Sequence, residues 1–120
     1  MRKFLAVAIL VTLSACASLI AETPAQRVFA AKQDYRALLT LAVDYVELPR
    51  CDETERTLCS DADAVARIQK IDRYVEVALD EAEGIVRTPG LTGDALSLAI
   101  RSAESAIAVF RVVLTEEGLL

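Results

Sequence analysis

The fold is decided by residues 61–87, which read DADAVARIQKIDRYVEVALDEAEGIVR. Apolar residues recur there at every third or fourth position, which is the spacing of one face of an α-helix. Ser60 is expected to cap this helix, with Asp61 and Asp63 favourably placed in its first turn, and the Thr-Pro-Gly sequence at 88–90 is expected to end it. The apolar stripe consists of Val65, Ile68, Ile71, Val75, Ala78, Leu79, Ala82, Ile85 and Val86.

Two further stretches carry the same kind of stripe, one at residues 24–48 and one at residues 93–117. At the start of the earlier stretch, Thr23 can cap the helix and Gln26 can complete a capping box. Pro49 should end that helix, because proline disfavours helical geometry in the residue before it. Both stretches are therefore predicted to be helices of about the same length as the central one.

Three long helices with short connections pack most simply as an antiparallel three-helix bundle. The sequence therefore predicts a single all-α domain over residues 23–120, with Gly118 as a suitable end for the last helix. Small side chains on the inward faces would let the helices approach closely. They are Ala31, Ala42, Ala78, Ala82, Ala99, Ala103 and Ala106.

Charge and composition exclude several classes of function. The chain has 120 residues, with 13 basic and 18 acidic side chains and no histidine. An acidic chain without basic clusters is a poor binder of nucleic acid. The Ser-His-Asp triad, the Cys-His pair and the His-Glu-x-x-His zinc site all require histidine, and the sequence has no Gly-rich phosphate loop. We therefore predict a protein that is not an enzyme and that uses no cofactor, metal or small-molecule substrate.

The N-terminal segment is typical of an export signal. Arg2 and Lys3 precede a ten-residue apolar run at 4–13, which is short for a membrane span. The run leads into Leu13-Ser14-Ala15-Cys16, which resembles the lipobox of bacterial lipoproteins. The resemblance implies that Leu13, Ser14 and Ala15 are recognised by a signal peptidase that cleaves before Cys16. It also implies that the Cys16 thiol carries a diacylglyceryl group and that its amino group is acylated, with palmitate among the chains.

The same resemblance implies a location. Residues 1–15 would be the signal peptide, and 16–22 would be the lipidated N-terminus and a tether that reaches at most about 20 Å. Ala17, in place of an aspartate, implies transfer to the outer membrane, with the domain on its periplasmic face. Two alternatives stay open: an uncleaved apolar anchor that continues to Ala21, and ordinary secretory cleavage after a small residue.

The two remaining cysteines bracket the connection between the first two predicted helices. Export would deliver Cys51 and Cys59 to an oxidising compartment, where they are expected to form a structural disulfide. The alternative is a redox-active pair, but such pairs usually have the spacing Cys-x-x-Cys at a helix N-terminus. Metal binding by two cysteines without histidine is not expected.

Four carboxylates fall on one face of the second predicted helix: Asp72, Glu76, Asp80 and Glu83. One interpretation is a solvated acidic ridge, partly neutralised by Arg73 or by Arg27 and Arg36 of the first helix. A second is a binding face for a cationic partner, and a third, the least favoured, is catalysis by paired carboxylates.

Short segments of the remaining chain also look similar to uncharacterised lipoproteins encoded in bacterial and phage genomes. These segments are Thr23-Pro24-Ala25-Gln26, Leu48-Pro49-Arg50-Cys51 and Leu58-Cys59-Ser60. The likeness implies no activity. The sequence thus favours a membrane-anchored envelope lipoprotein with a structural or protein-interaction role and an envelope protein as partner. The alternative is a prophage or defence lipoprotein that blocks a receptor or an envelope hydrolase through its acidic helix face.

Overall fold

The computed structural model describes residues 23–51, 58–91 and 93–120. These residues form three helices packed as a bundle, and each helix contacts both of the others. The predicted all-α class is confirmed. The predicted signal peptide and lipidated tether lie outside the described residues. The helices are α1 (Pro24–Val46), α2 (Ala62–Arg87) and α3 (Asp94–Glu116).

Helix α1 begins as the sequence predicts. The backbone N–H of Gln26 donates to Oγ1 of Thr23 at 3.2 Å, and the N–H of Thr23 donates to Oε1 of Gln26 at 2.7 Å. This reciprocal pair is a capping box, and Pro24 occupies the first turn, where a missing N–H costs nothing. The helix ends at Val46, two residues before the predicted limit.

The predicted cap of α2 is wrong. Asp61, not Ser60, is the N-cap, and its carboxylate accepts hydrogen bonds from the N–H groups of Asp63 (3.0 Å) and Ala64 (2.9 Å). A carboxylate at this position is also stabilised by the positive end of the helix dipole. The Ser60 side chain is instead fully buried, and its hydroxyl donates to the carbonyl oxygen of Leu48 at 3.0 Å.

The core runs the length of the bundle and is almost wholly apolar. Phe110 and Leu114 of α3 and Val75 of α2 have no exposed surface. The ring of Phe110 lies 6.0 Å from that of Tyr35 on α1, in a tilted arrangement. All seven alanines expected between the helices are buried, which confirms that they face the core.

The two ends of the connection between α1 and α2 are joined by a disulfide and by backbone hydrogen bonds. Cys51 and Cys59 form a disulfide with 4.9 Å between their Cα atoms. Beside it, the N–H of Cys51 donates to the carbonyl of Ser60 (3.0 Å), and the N–H of Ser60 donates to the carbonyl of Pro49 (2.9 Å). The predicted pairing of the two cysteines is confirmed.

Replacing both Cys51 and Cys59 by alanine is expected to lower the free energy of unfolding by about 2.5 kcal/mol, because the open chain gains loop entropy when it unfolds. For a domain of this size, the melting temperature would fall by about 10–20 °C. Thermal unfolding followed by circular dichroism measures the change. The wild-type chain after reduction is the control, since it should match the variant; an unchanged melting temperature in both would contradict a stabilising role for the disulfide.

The turn between α3 and the C-terminal residues requires a left-handed backbone. Gly118 has φ = 73°, a conformation that side chains with a Cβ rarely adopt. It allows the N–H of Leu119 to donate back to the carbonyl of Leu114 at 2.9 Å. The sequence correctly predicts glycine at this helix end. In the part of the chain that the structure describes, no helix is both long enough and apolar enough to cross a membrane.

Candidate functional site

Four of the six acidic residues of α2 lie on the side of that helix that faces α1. Asp72, Glu76, Asp80 and Glu83 are spaced by three or four positions, so their side chains follow one flank of the helix. In the antiparallel bundle this flank runs beside α1 residues from Lys32 to Leu39 and beyond. The predicted ridge is thus one wall of a groove.

Asp72, nearest the disulfide end, is held by a tyrosine. The Tyr35 hydroxyl donates to Oδ1 of Asp72 at 2.6 Å. Burial raises the pKa of Tyr35 far above its ordinary value, and the hydrogen bond to Asp72 and the negative charges of Asp72 and Glu76 raise the pKa further. Tyr35 therefore stays protonated at any physiological pH and continues to donate to this carboxylate.

Glu83, at the opposite end of the ridge, is held by two cations. One carboxylate oxygen accepts from Nζ of Lys32 on α1, and the other accepts from the guanidinium of Arg87 one turn further along α2. The hydrogen bond from Lys32 is the main reason that the pKa of Glu83 is lowered, and the charge of Arg87 adds to the effect. Glu83 is a crosslink between α1 and α2.

Glu83→Gln is expected to lower the melting temperature at pH 7. Since the folded state lowers the pKa of Glu83, the stabilisation is present above the ordinary glutamate value of about 4.3 and is lost as the pH falls through the folded pKa. Thermal melts of both proteins from pH 7 to pH 3 should therefore converge at acid pH. Glu76→Gln is the matched control; a difference between wild type and Glu83→Gln that is independent of pH would contradict the ion-pair assignment.

Glu76 and Asp80 are the two ridge carboxylates that are exposed. They line a surface groove of about 370 Å³, and Arg36 of α1 forms part of the opposite wall. Arg27, which one interpretation assigned to neutralising the ridge, pairs instead with Glu104 of α3 through three hydrogen bonds of 2.7, 2.8 and 3.2 Å. Arg73 is exposed on α2.

A second groove adjoins the ridge towards the start of α1. It measures about 330 Å³ and has an apolar floor that includes Val28 and Val86, with Phe29 at its edge and Lys32 and Arg36 on its rim. Neither Phe29 nor Lys32 was predicted from the sequence to line a groove. Phe29 and Lys32 directly follow the predicted core residues Val28 and Ala31, which indicates that they lie at the edge of the apolar stripe of α1. Which neighbouring helix they face depends on tertiary packing.

This surface offers charged groups and apolar contact. The ridge presents two exposed carboxylates, Glu76 and Asp80, beside an arginine, which suits a hydrogen-bonded cationic side chain. Among residues 23–51, 58–91 and 93–120, no three Cys, His, Asp or Glu side chains are close enough to hold a metal ion. The predicted lipidation residue, Cys16, and its recognition sequence lie outside the described part of the chain.

Comparison with known proteins gives no relative from which a function could be carried over. No protein-family model matches the chain, and no significant match was found among curated proteins or among solved structures. A function for this chain has therefore to be inferred from its own residues and geometry.

Proposed function

We propose that this chain is a lipid-anchored lipoprotein of the bacterial cell envelope, held in the outer membrane through Cys16. The observation that carries the proposal is Leu13-Ser14-Ala15-Cys16, placed directly after a basic start and a ten-residue apolar run. The helical domain acts without catalysis, as a structural element or as a binding partner for another envelope protein. The domain is too acidic to be drawn to anionic lipid, so its attachment relies on the acyl chains.

The arrangement of the cysteines supports the proposal. The chain has three cysteines, and the structure joins two of them, Cys51 and Cys59, in a disulfide. Disulfides persist in exported proteins and are rare in the reducing cytosol. Cys16 is then the one cysteine outside the pair, as expected for the residue that carries the lipid.

The start of the bundle gives the anchored domain an orientation. Because α1 begins at Pro24, only residues 17–22 separate the lipid from the capped helix, and they reach about 20 Å at most. The start of α1 and the turn between α2 and α3 lie at the same end of an antiparallel bundle. That end faces the bilayer, and the disulfide end, about 35 Å away along α1, faces the compartment.

The proposal is tested by labelling cells that express the full chain with radioactive palmitate and by mass spectrometry of the purified protein. The expected result is a labelled protein whose first residue is Cys16, with a mass increased by diacylglycerol and one further acyl chain. An unlabelled protein that retains Arg2 and Lys3 would instead indicate an uncleaved anchor. An unlabelled, shortened protein in the soluble fraction would indicate ordinary secretion, and either result would overturn the proposal.

A further inference from the structure

Several large apolar side chains are exposed on one side of the bundle. Of the large apolar side chains that are exposed, five lie on the outer side shared by α2 and α3, which we call the α2/α3 face. Val77 is 66 % exposed, Leu98 64 % and Val112 55 %. The full set is Tyr74, Val77, Leu98, Val109 and Val112.

One groove between the two helices, extended by helical periodicity, places these residues on a shared side. Glu81 and Ile85 of α2 line one groove, of about 380 Å³, together with Leu98 and Ser102 of α3. Tyr74 lies two helical turns before Glu81 and Val109 lies two turns after Ser102, so both continue the walls of that groove. Val77 and Val112 follow one turn along from Tyr74 and Val109, towards the outer side.

The charges on this face are arranged in opposite order on the two helices. Along α2, Lys70 precedes Tyr74 by one turn and Glu81 follows Val77 by one turn. Along α3, Glu116 lies on the same side as Val109, whereas Arg101 lies about 80° around the helix from Val109, at the outer edge of the face. All four charged side chains are exposed.

The ion pair between Arg67 and Glu117, with Nε to Oε1 at 2.9 Å, fixes the level of one helix against the other. It places Lys70 within about 3 Å, along the axis, of the level of Glu116, and Glu81 within about 3 Å of the level of Arg101. Each end of the face therefore carries one positive and one negative residue at nearly the same level, with Arg101 at the outer edge.

If two copies are related by a two-fold axis parallel to the helices, the charges on the face of one copy lie opposite charges of the other sign on the second copy. Rotation about this axis sets α2 of one copy opposite α3 of the other at the same level. Lys70 then meets Glu116 of the second copy, and Glu81 meets Arg101. Between the two charge pairs, Tyr74 faces Val109. Leu98 lies one turn beyond the pair of Glu81 and Arg101.

The full length and width of the two helices set an upper limit on the area of contact, and that limit suits a weak, specific association. Two helices of about 35 Å, each about 10 Å wide, present roughly 600–700 Å² per copy. The total for two copies, roughly 1,200–1,400 Å², is at the lower end of what specific interfaces bury. An association that forms at high local concentration, such as that in a membrane plane, fits this size.

We propose that two copies of this chain associate through their α2/α3 faces about such an axis, so that α2, α3 and their symmetry mates form a four-helix interface. The association itself does not depend on lipidation. The choice of a parallel over an antiparallel arrangement rests on the proposed function, because only the parallel one puts both copies of Cys16 at the same end, in one bilayer.

The test is sedimentation equilibrium of the full chain in density-matched detergent, with the lipid content of each sample read from its mass. Wild type is expected to show a monomer–dimer equilibrium, and Val77→Glu is expected to weaken it at least tenfold with an unchanged melting temperature. Phe29→Glu is the matched control, since Phe29 is equally exposed but lies on α1. A monomer at all concentrations, or equal effects of the two substitutions, would overturn the proposal.

Charge exchange distinguishes the two arrangements. Lys70→Glu is expected to weaken the dimer, and the double variant Lys70→Glu/Glu116→Lys is expected to restore it. Restoration by Lys70→Glu/Glu81→Lys instead would show that α2 faces α2 in antiparallel order and would overturn the parallel arrangement. The mass of the attached lipid is measured separately from the monomer–dimer equilibrium. Failure of the dimer and failure of lipidation at Cys16 can therefore be told apart.

Discussion

Phe110→Ala is expected to lower the free energy of unfolding by about 3–5 kcal/mol. Phe110 has no exposed surface and is the largest of the fully buried side chains. Its ring packs against Tyr35 of α1, so its removal opens a cavity where α3 meets α1. Since small domains have only about 5–15 kcal/mol of stability in total, this one change would consume a large part of it.

Urea unfolding followed by circular dichroism at 222 nm measures this loss. Phe29→Ala is the matched control, because it removes the same side chain from a position that is 64 % exposed. Its effect should remain within about 0.5 kcal/mol. Similar losses for the two variants would mean that the centre of the core is not at Phe110.

Cys16→Ser is expected to abolish lipid attachment completely. Serine has no thiol to accept the diacylglyceryl group, and the lipobox that this N-terminus resembles ends in an obligatory cysteine. The variant should therefore accumulate as a precursor that retains residues 1–15 and incorporates no palmitate. Because the variant lacks the acyl chains, its free energy of membrane binding is weakened by about 0.8 kcal/mol for each methylene that the wild type buries.

Radioactive palmitate incorporation and the intact mass of the purified protein measure this loss. The double variant Cys51→Ser/Cys59→Ser is the control: it removes the other two cysteines and should be labelled and cleaved like the wild type. Palmitate retained by Cys16→Ser would contradict the assignment of Cys16 as the lipid-bearing residue.

The acidic ridge shows how far a site can be predicted from one helix. The spacing of Asp72, Glu76, Asp80 and Glu83 places them on one flank, and the structure has them there. The contacts that each carboxylate makes could not be predicted from this spacing. Tyr35 and Lys32, on another helix, determine that Asp72 and Glu83 are engaged while Glu76 and Asp80 are exposed.

By itself the sequence determined the local features of this protein. The apolar period of residues 61–87, the capping box of Thr23 and Gln26 and the glycine at 118 each depend on neighbours a few residues away, so they could be predicted without a fold. The likeness of the N-terminus to a lipobox is also local, and it carries the functional proposal.

Only the tertiary structure decided the contacts between helices. Ser60 is a suitable helix cap when only its neighbours in sequence are considered. In the structure its hydroxyl instead donates to the carbonyl of Leu48 in the connection between α1 and α2, and Asp61 caps α2. In the same way, Arg27 reaches Glu104 on α3 and not the ridge. The rotation and level of one helix against another are set by how Phe110 and the buried alanines fill the core, and no single helix contains that information.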